Sequence, residues 1–367
     1  MSFFSSYYLL NNLFPYLLFM SYNIFDKLKE ERGGNKMINH YKRTASKTRF
    51  NEETTFDLIE ISNNKDLKVT FCSSGASIYS IYLKGRLITF APDDFTFFCF
   101  NGLQFGKTLG RTAGRIKDGI AHIDGKEYHL YKYGKHTLHG GRGFEFLKYD
   151  EEEEEDENEY RVIFSLISLD GDQGYPGQLE NKIIYHVKKE ENKIRIDFKA
   201  KSSKDTLCNL SNHVYWNLDG DMSKTIFDHE LMINASKYVL TDEELIYKDI
   251  LPVNKTHDFT KGKKIIENLF DDELSVPYLN GYDHDYILNK DGKDDAILYS
   301  SSKDIKMEVK TSYPVCHLFT ANCFDEAHRY HCLALEFQKE VFFQDKIILR
   351  KDEIYDEFIE FSFTINK

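Results

Sequence analysis

From about residue 51 onward, apolar residues recur at every second position in short runs separated by polar turns, the period of half-buried β-strands. In residues 181–200 (NKIIYHVKKEENKIRIDFKA), Ile183, Tyr185 and Val187 line one face, the turn KKEENK follows, and Ile194, Ile196 and Phe198 share a face again. That pattern predicts a β-hairpin. Ile305, Met307 and Val309 repeat the alternation, as do Ile359, Phe361, Phe363 and Ile365 against Phe358, Glu360, Ser362 and Thr364. No amphipathic stretch exceeds two or three helical turns; the candidate helices are short, at residues 263–270 and 25–31. The predicted class is all-β.

Between these strands the charge pattern sets expected boundaries. Residues 150–159 (DEEEEEDENE) read as an exposed loop, because like charges side by side repel across a sheet. Residues 25–50 are charged and contain Gly33 and Gly34, which suits a linker. Residues 1–50 are therefore expected to be an N-terminal extension, flexible or targeting, with one large domain at 51–367. Within the extension, residues 7–20 (YYLLNNLFPYLLFM) are apolar, yet no Lys or Arg precedes them, Asn11 and Asn12 interrupt them, and no small-residue cleavage site follows. A disordered or surface-packed extension and a targeting segment both stay open.

Composition narrows the function classes. Aromatic residues make up 15% of the chain, ample material for sheet packing or for the faces of sugars. The 48 Lys and Arg against 60 Asp and Glu leave a net charge of −12, which repels a phosphate backbone and argues against nucleic acid as a partner. Six cysteines are scattered without CxxC pairing and are expected to be reduced and buried.

Candidate chemistry gathers in three glycine-flanked stretches: GRTAGRIKDG at residues 110–119, HTLHGGRGF at 136–144 and NLSNHVYWNLDG at 209–220. Singly, a histidine in such a place is more often a hydrogen-bonded structural residue, and Arg115 reads equally as a loop anchor. Together, His139, His213, Arg115, Asp283 and Glu336 supply what proton transfer at a polyol needs: a carboxylate, imidazoles and charged hydrogen-bonders for hydroxyls. Glu336 carries the most weight. It interrupts residues 332–337 (CLALEF), otherwise a buried strand, where a carboxylate must be paired or functional because burying it alone is costly. The plain alternative is an outward-facing residue on a half-exposed strand.

The motifs GRTAGRI, HTLHGGRGF, DGDQGYPG, NLSNHVYWNLDG, GYDHDYIL, ALEFQ and the closing ILRKDEIYDEFIEFSF occur in an order and at spacings that resemble the galactose mutarotase (aldose 1-epimerase) family, over about residues 51–363. The resemblance implies a large antiparallel β-sandwich of the galactose mutarotase type, with a sugar bound in an open cleft on one sheet. It implies an isomerase that interconverts the α and β anomers of free hexoses such as galactose and glucose by ring opening and closure. Glu336 would be the base at the C1 hydroxyl, His213 the acid at the ring oxygen, and His139 a second imidazole at that oxygen. Arg115, Asp283, Gly114 and His317 would bind the sugar. No cofactor and no metal are expected. The expected partner is a monosaccharide, without nucleic acid or stable membrane insertion, and the expected state is a cytoplasmic monomer or homodimer, with secretory or membrane-associated targeting left open.

The chain also departs from the family pattern. Gly114 stands where many relatives have Asn, Val315 where Gly is common and His317 where Gln or an aromatic is found, while EFQKEVFFQDK lacks a proline-rich continuation. Trp216, where many relatives carry Phe, is open to sugar stacking or core packing, core being favoured. Three competing readings follow: a hexose-6-phosphate 1-epimerase using Lys135 and Arg142, a non-catalytic carbohydrate-binding protein, and a zinc hydrolase using His139, His213 and Asp283.

Overall fold

Alternation along the chain is realised as burial. In the strand Leu179–Lys188 every second side chain is buried, and in Lys193–Ser202 likewise. Their register sets Ile183 opposite Phe198, Tyr185 opposite Ile196 and Val187 opposite Ile194, the expected hairpin. Val309 pairs with Phe361 and Met307 with Phe363, so the second and third alternating runs become neighbours in the same sheet.

The computed structural model describes residues 37–47, 52–275 and 280–366. Among these, three sheets dominate: one of nine strands, one of six and one of five, each antiparallel throughout. One apolar core draws on all three, with Ile59 and Phe71 from the five-stranded sheet, Tyr185 and Phe361 from the nine-stranded sheet, and Tyr286 and Leu335 from the six-stranded sheet. Phe71 and Tyr185 meet with ring centroids 4.6 Å apart. Trp216 is fully buried and packs on Phe361 at 4.9 Å and Phe363 at 6.0 Å, so it belongs to the core. The architecture is the expected all-β sandwich.

Four local expectations change. The acidic run is an edge strand, Asp150–Glu155, paired with Glu159–Ser168. Successive carboxylates point to opposite faces, and the partner strand offers no acid across from them but Ser165, Phe164, Ile163, Val162, Arg161 and Tyr160. Arg161 lies 3.0 Å from Glu154 and 3.1 Å from Asp156, and Lys189 lies 2.7 Å from Glu155. Cross-strand cations thus offset the repulsion on which the loop reading rested.

The sheet also begins earlier than residue 51. Ile38–Lys47 pairs along its length with Glu52–Ser62, at the edge of the five-stranded sheet. Its charged residues face outward or pack by their stems: Arg43 donates to the Tyr79 hydroxyl at 2.7 Å and sits 4.4 Å over the Phe95 ring, while Ala45 is buried. The helix expected at 263–270 is a two-residue strand, Lys263–Lys264, followed by a single 3₁₀ turn, Ile265–Glu267. A six-residue helix, Phe95–Phe100, escaped notice because it is too short to show a period. Residues 7–20 and 25–31 lie outside the described residues. All six cysteines are free and five are buried; Cys323 is exposed, contrary to expectation, because it sits in the turn after Val315–Phe319 rather than within a strand.

Truncation of the Trp216 platform tests this core. Phe361→Ala should cost about 3–5 kcal/mol of stability, read as a lower urea midpoint with Trp216 fluorescence as the probe; a midpoint equal to wild type contradicts the packing.

Candidate active site

The strand Leu333–Gln338 is buried at all six positions because it lies inside the six-stranded sheet, between Tyr215–Trp216 and Val315–Phe319. Its Leu335 and Phe337 enter the core, and alternation turns Glu336 and Gln338 to the opposite face. Register then assembles a row. Asp285 stands opposite His317 and His317 opposite Glu336, with Asp283 two residues from Asp285 on the same face. Three neighbouring strands thus bring together side chains that are up to 53 positions apart in sequence.

Loops supply the remaining groups. His213 follows the short strand Ser211–Asn212, which pairs with Thr108–Leu109. Its backbone is pinned on both sides, its N–H donating to Lys107 O at 2.9 Å and its carbonyl accepting from Gly106 N at 2.8 Å. The ring rests against Tyr215, centroids 4.7 Å apart, and Nε2 lies 3.2 Å from Oε1 of Glu336. The two groups therefore meet over one spot on the sheet.

His139 arrives from the HGG run. It adopts a left-handed backbone (φ 48°), and Gly140 follows because a Cβ there would fall 2.1 Å from the carbonyl oxygen of Gly110. Its N–H donates to Gly114 O at 3.0 Å, and its Nδ1 accepts from Gly114 N at 3.3 Å. An Nδ1 that accepts leaves the proton of a neutral ring on Nε2, so His139 presents a donor to the cleft. Its ring crosses that of His213 at 5.7 Å. His139, His213 and Glu336 hold donor atoms within 4.8 Å of one another, the types that bind zinc; the Gly114 contact, however, favours an N–H rather than a lone pair at Nε2 of His139. The set of the competing zinc reading, with Asp283 in place of Glu336, is not the one that clusters among the described residues.

The electrostatics follow from burial and from the row of charges. Burial pushes the Glu336 carboxyl up to about 7, Asp283 and Asp285 adding to the rise and His317 and Arg115 opposing it. Burial, with His317 nearby, lowers His213 to about 3. His139 is held well below the usual imidazole range by burial and by His213, Arg115 and His317. Both rings are thus neutral.

His317 is the reverse case. Burial disfavours its charge, yet Asp283 and Asp285 outweigh it and hold the ring well above the usual range. Nε2 lies 3.1 Å from Asp283 Oδ1 and Nδ1 lies 2.9 Å from Asp285 Oδ1. Burial also opposes ionisation of Asp283, but His317 and Arg115 keep it far below the carboxylate norm.

Of the residues expected to bind a sugar, Asp283 retains an Oδ2 without a partner among the described residues, and Arg115, whose backbone pairs with Leu138 next to His139, has a guanidinium without a hydrogen bond or ion pair there. Gly114 uses both backbone polar groups on His139, and His317 uses both ring nitrogens on carboxylates, so these two hold the site together instead of offering it a free donor. Lys135, expected as a phosphate contact, is paired with Glu244 at 2.7 Å. Sequence reasoning passed over Asp285 and Gln338, whose amide donates to Asp285 Oδ1 at 3.0 Å. The alternation in DHDYIL, which sends both aspartates to one face, was the signal for the first.

Comparison with known proteins identifies the family. A family model described as aldose 1-epimerase matches residues 57–362. An aldose 1-epimerase from Haemophilus influenzae is 31% identical over 290 residues, covering 74% of this chain and 83% of its own length. The galactose mutarotase of Homo sapiens is 32% identical over 286 residues, covering 71% and 79%. Among solved structures, an aldose epimerase homologue from C. elegans superposes with a TM-score of 0.75 at 27% identity, over 84% of this chain and 99% of its own. A galactose 1-epimerase from Lactobacillus acidophilus shares the fold with a TM-score of 0.80 at 24% identity, over 90% and 100%. By the family model, which matches most of the chain, and by these relatives, the chain belongs to the aldose 1-epimerase family and is an isomerase that interconverts the anomers of an aldose.

Proposed function

We propose that the substrate is a free hexose such as galactose or glucose, and that Glu336 and His213 move the two protons of ring opening and closure. The observation that carries this reading is the 3.2 Å approach of His213 Nε2 to Glu336 Oε1, beside His139, Asp283 and Arg115. Opening a hemiacetal needs one proton removed from the C1 hydroxyl and one delivered to the ring oxygen. The proton of the pair rests on the carboxyl side, since burial raises Glu336 and lowers His213. Passing it across the 3.2 Å contact creates the carboxylate and imidazolium that the reaction uses.

Glu336 then takes the C1 hydroxyl proton while His213 protonates the ring oxygen, and the C1–O5 bond breaks to give the open-chain aldehyde. His139 donates from Nε2 to the same oxygen and spreads its developing charge. Rotation about C1–C2 presents the other carbonyl face. Both protons return and the ring closes as the opposite anomer. The free guanidinium of Arg115 and the unpaired Oδ2 of Asp283 hold the remaining hydroxyls, so that C1 and O5 stay over the acid and base. A pKa near 7 suits Glu336 to this work, because a group that gives and takes a proton in one cycle is most effective near the operating pH. Free thiols, five of them buried, are in keeping with action in the reducing cytoplasm.

Polarimetry on freshly dissolved α-D-galactose and α-D-glucose, with glucose 6-phosphate as comparison, tests the activity. The rate should exceed the spontaneous one for the free sugars and fall away for the phosphate ester. Glu336→Gln should remove nearly all turnover, and His213→Asn should lower kcat by roughly 10²- to 10⁴-fold; near-normal kcat in either would falsify its role.

A second measurement uses the same carboxyl. Because folding raises Glu336 from 4.5 to about 7, the protonated group is favoured in the folded state, and its contribution is lost as pH rises from the unfolded value through the folded one. Glu336→Gln should therefore gain thermal stability relative to wild type between about pH 4.5 and 7 and keep the gain above it, by on the order of a few degrees. A melting difference independent of pH contradicts the raised pKa.

A further inference from the structure

We propose that His317 is a positioning residue, a permanent imidazolium clamped between Asp283 and Asp285 and set directly opposite Glu336, which keeps Glu336 available as a base at neutral pH. The inference rests on the assignment of Glu336 as the base.

The geometry leaves His317 little else to do. Carboxylate oxygens only accept, so a ring with Asp283 at 3.1 Å on one nitrogen and Asp285 at 2.9 Å on the other must donate from both, which requires the charged form. Neither nitrogen is free for a sugar hydroxyl. Asp285 is itself fixed by the Gln338 amide at 3.0 Å, so the clamp is tied to both neighbouring strands. Across the sheet the charges alternate along one row: Asp285, His317, Glu336.

The groups facing this ring are Asp283 and Asp285 from one strand, Glu336 and Gln338 from the other, and Arg115, His139 and His213 from the loops above; His284 adds its influence from the far side of Asp283. His139, His213 and His284 are all lowered by burial and are neutral. Three carboxyl groups are thus met by two cations, His317 and Arg115. Without the charge on His317, Asp283 and Asp285 would act on Glu336 with only Arg115 to oppose them, and each raises its pKa. The sugar-binding aspartate would also lose the partner that keeps it ionised.

Glutamine provides the test because its amide can still donate to the aspartates but carries no charge. The active form carries one proton on the Glu336–His213 pair, and its loss sets the alkaline limb of kcat/KM for α-D-galactose. That limb should move to higher pH in His317→Gln by about one unit or more, with a lower plateau below it because Glu336 gives its proton to His213 less readily. Histidine-labelled wild-type protein should show both His317 nitrogens protonated from pH 5 to 9 by ¹⁵N NMR, a readout that needs no variant to fold. A Gln variant whose alkaline limb coincides with wild type, or a His317 ring that titrates near its ordinary value, overturns the proposal while leaving the anomerase assignment intact. A wild-type protein that does not accelerate mutarotation, or an active Glu336→Gln, instead removes the base reading on which it depends.

Discussion

A carboxyl group placed inside a strand that is buried on both faces cannot stay as it would in water. Glu336 is 2% exposed, and its ionised form has lost nearly all hydration, a loss that the protein must offset with neighbouring charge or accept as a raised pKa. Here both occur. His317 and Arg115 pull toward ionisation, Asp283 and Asp285 push against it, and the carboxyl comes to rest near neutrality. The same desolvation strips His213 of its affinity for a proton. The proton of the pair therefore rests on Glu336, 3.2 Å from the imidazole that can receive it.

That balance depends on rigid placement, which the sheet supplies. Antiparallel register fixes Asp285, His317 and Glu336 in one row with no loop involved, and the strand bearing Glu336 is anchored below by Leu335 and Phe337 in the core. The imidazoles come from loops, yet those loops are held by backbone hydrogen bonds: Gly106 and Lys107 grip His213, and Gly114 grips His139 twice. Asn209 and Asn212 serve the same end, Asn209 accepting from Lys339 N at 2.8 Å and Asn212 donating to Gly106 O at 3.0 Å. Glycine permits the HGG run to pass so close to Gly110 that any side chain would collide.

Stability and activity pull in different directions at this site. An ionised Glu336 is a liability to the fold, and a neutral isostere removes it; the cleft keeps the carboxyl because the chemistry needs a group that can let a proton go. His317 limits that liability by facing two aspartates that would otherwise add their repulsion to it. The aspartates gain in turn, since a cation between them offsets their mutual repulsion.

Much of this was legible in the chain before any coordinates. Period-two alternation predicted the hairpin at Ile183–Phe198 and the pairing runs around Met307 and Phe363, because a strand that buries one face writes its burial directly into the sequence. The glycine-flanked motifs marked His139 and His213, and an acid inside CLALEF marked Glu336. The edges escaped. Asp150–Glu155 read as a loop and residues 38–47 as a linker, since an edge strand is stabilised by partners such as Arg161 and Tyr79 that lie outside its own segment. The roles of Gly114 and His317 could not be read either. Whether a backbone N–H or a ring nitrogen is free for a ligand depends on which groups other strands bring within hydrogen-bonding distance, and only register and loop packing decide that.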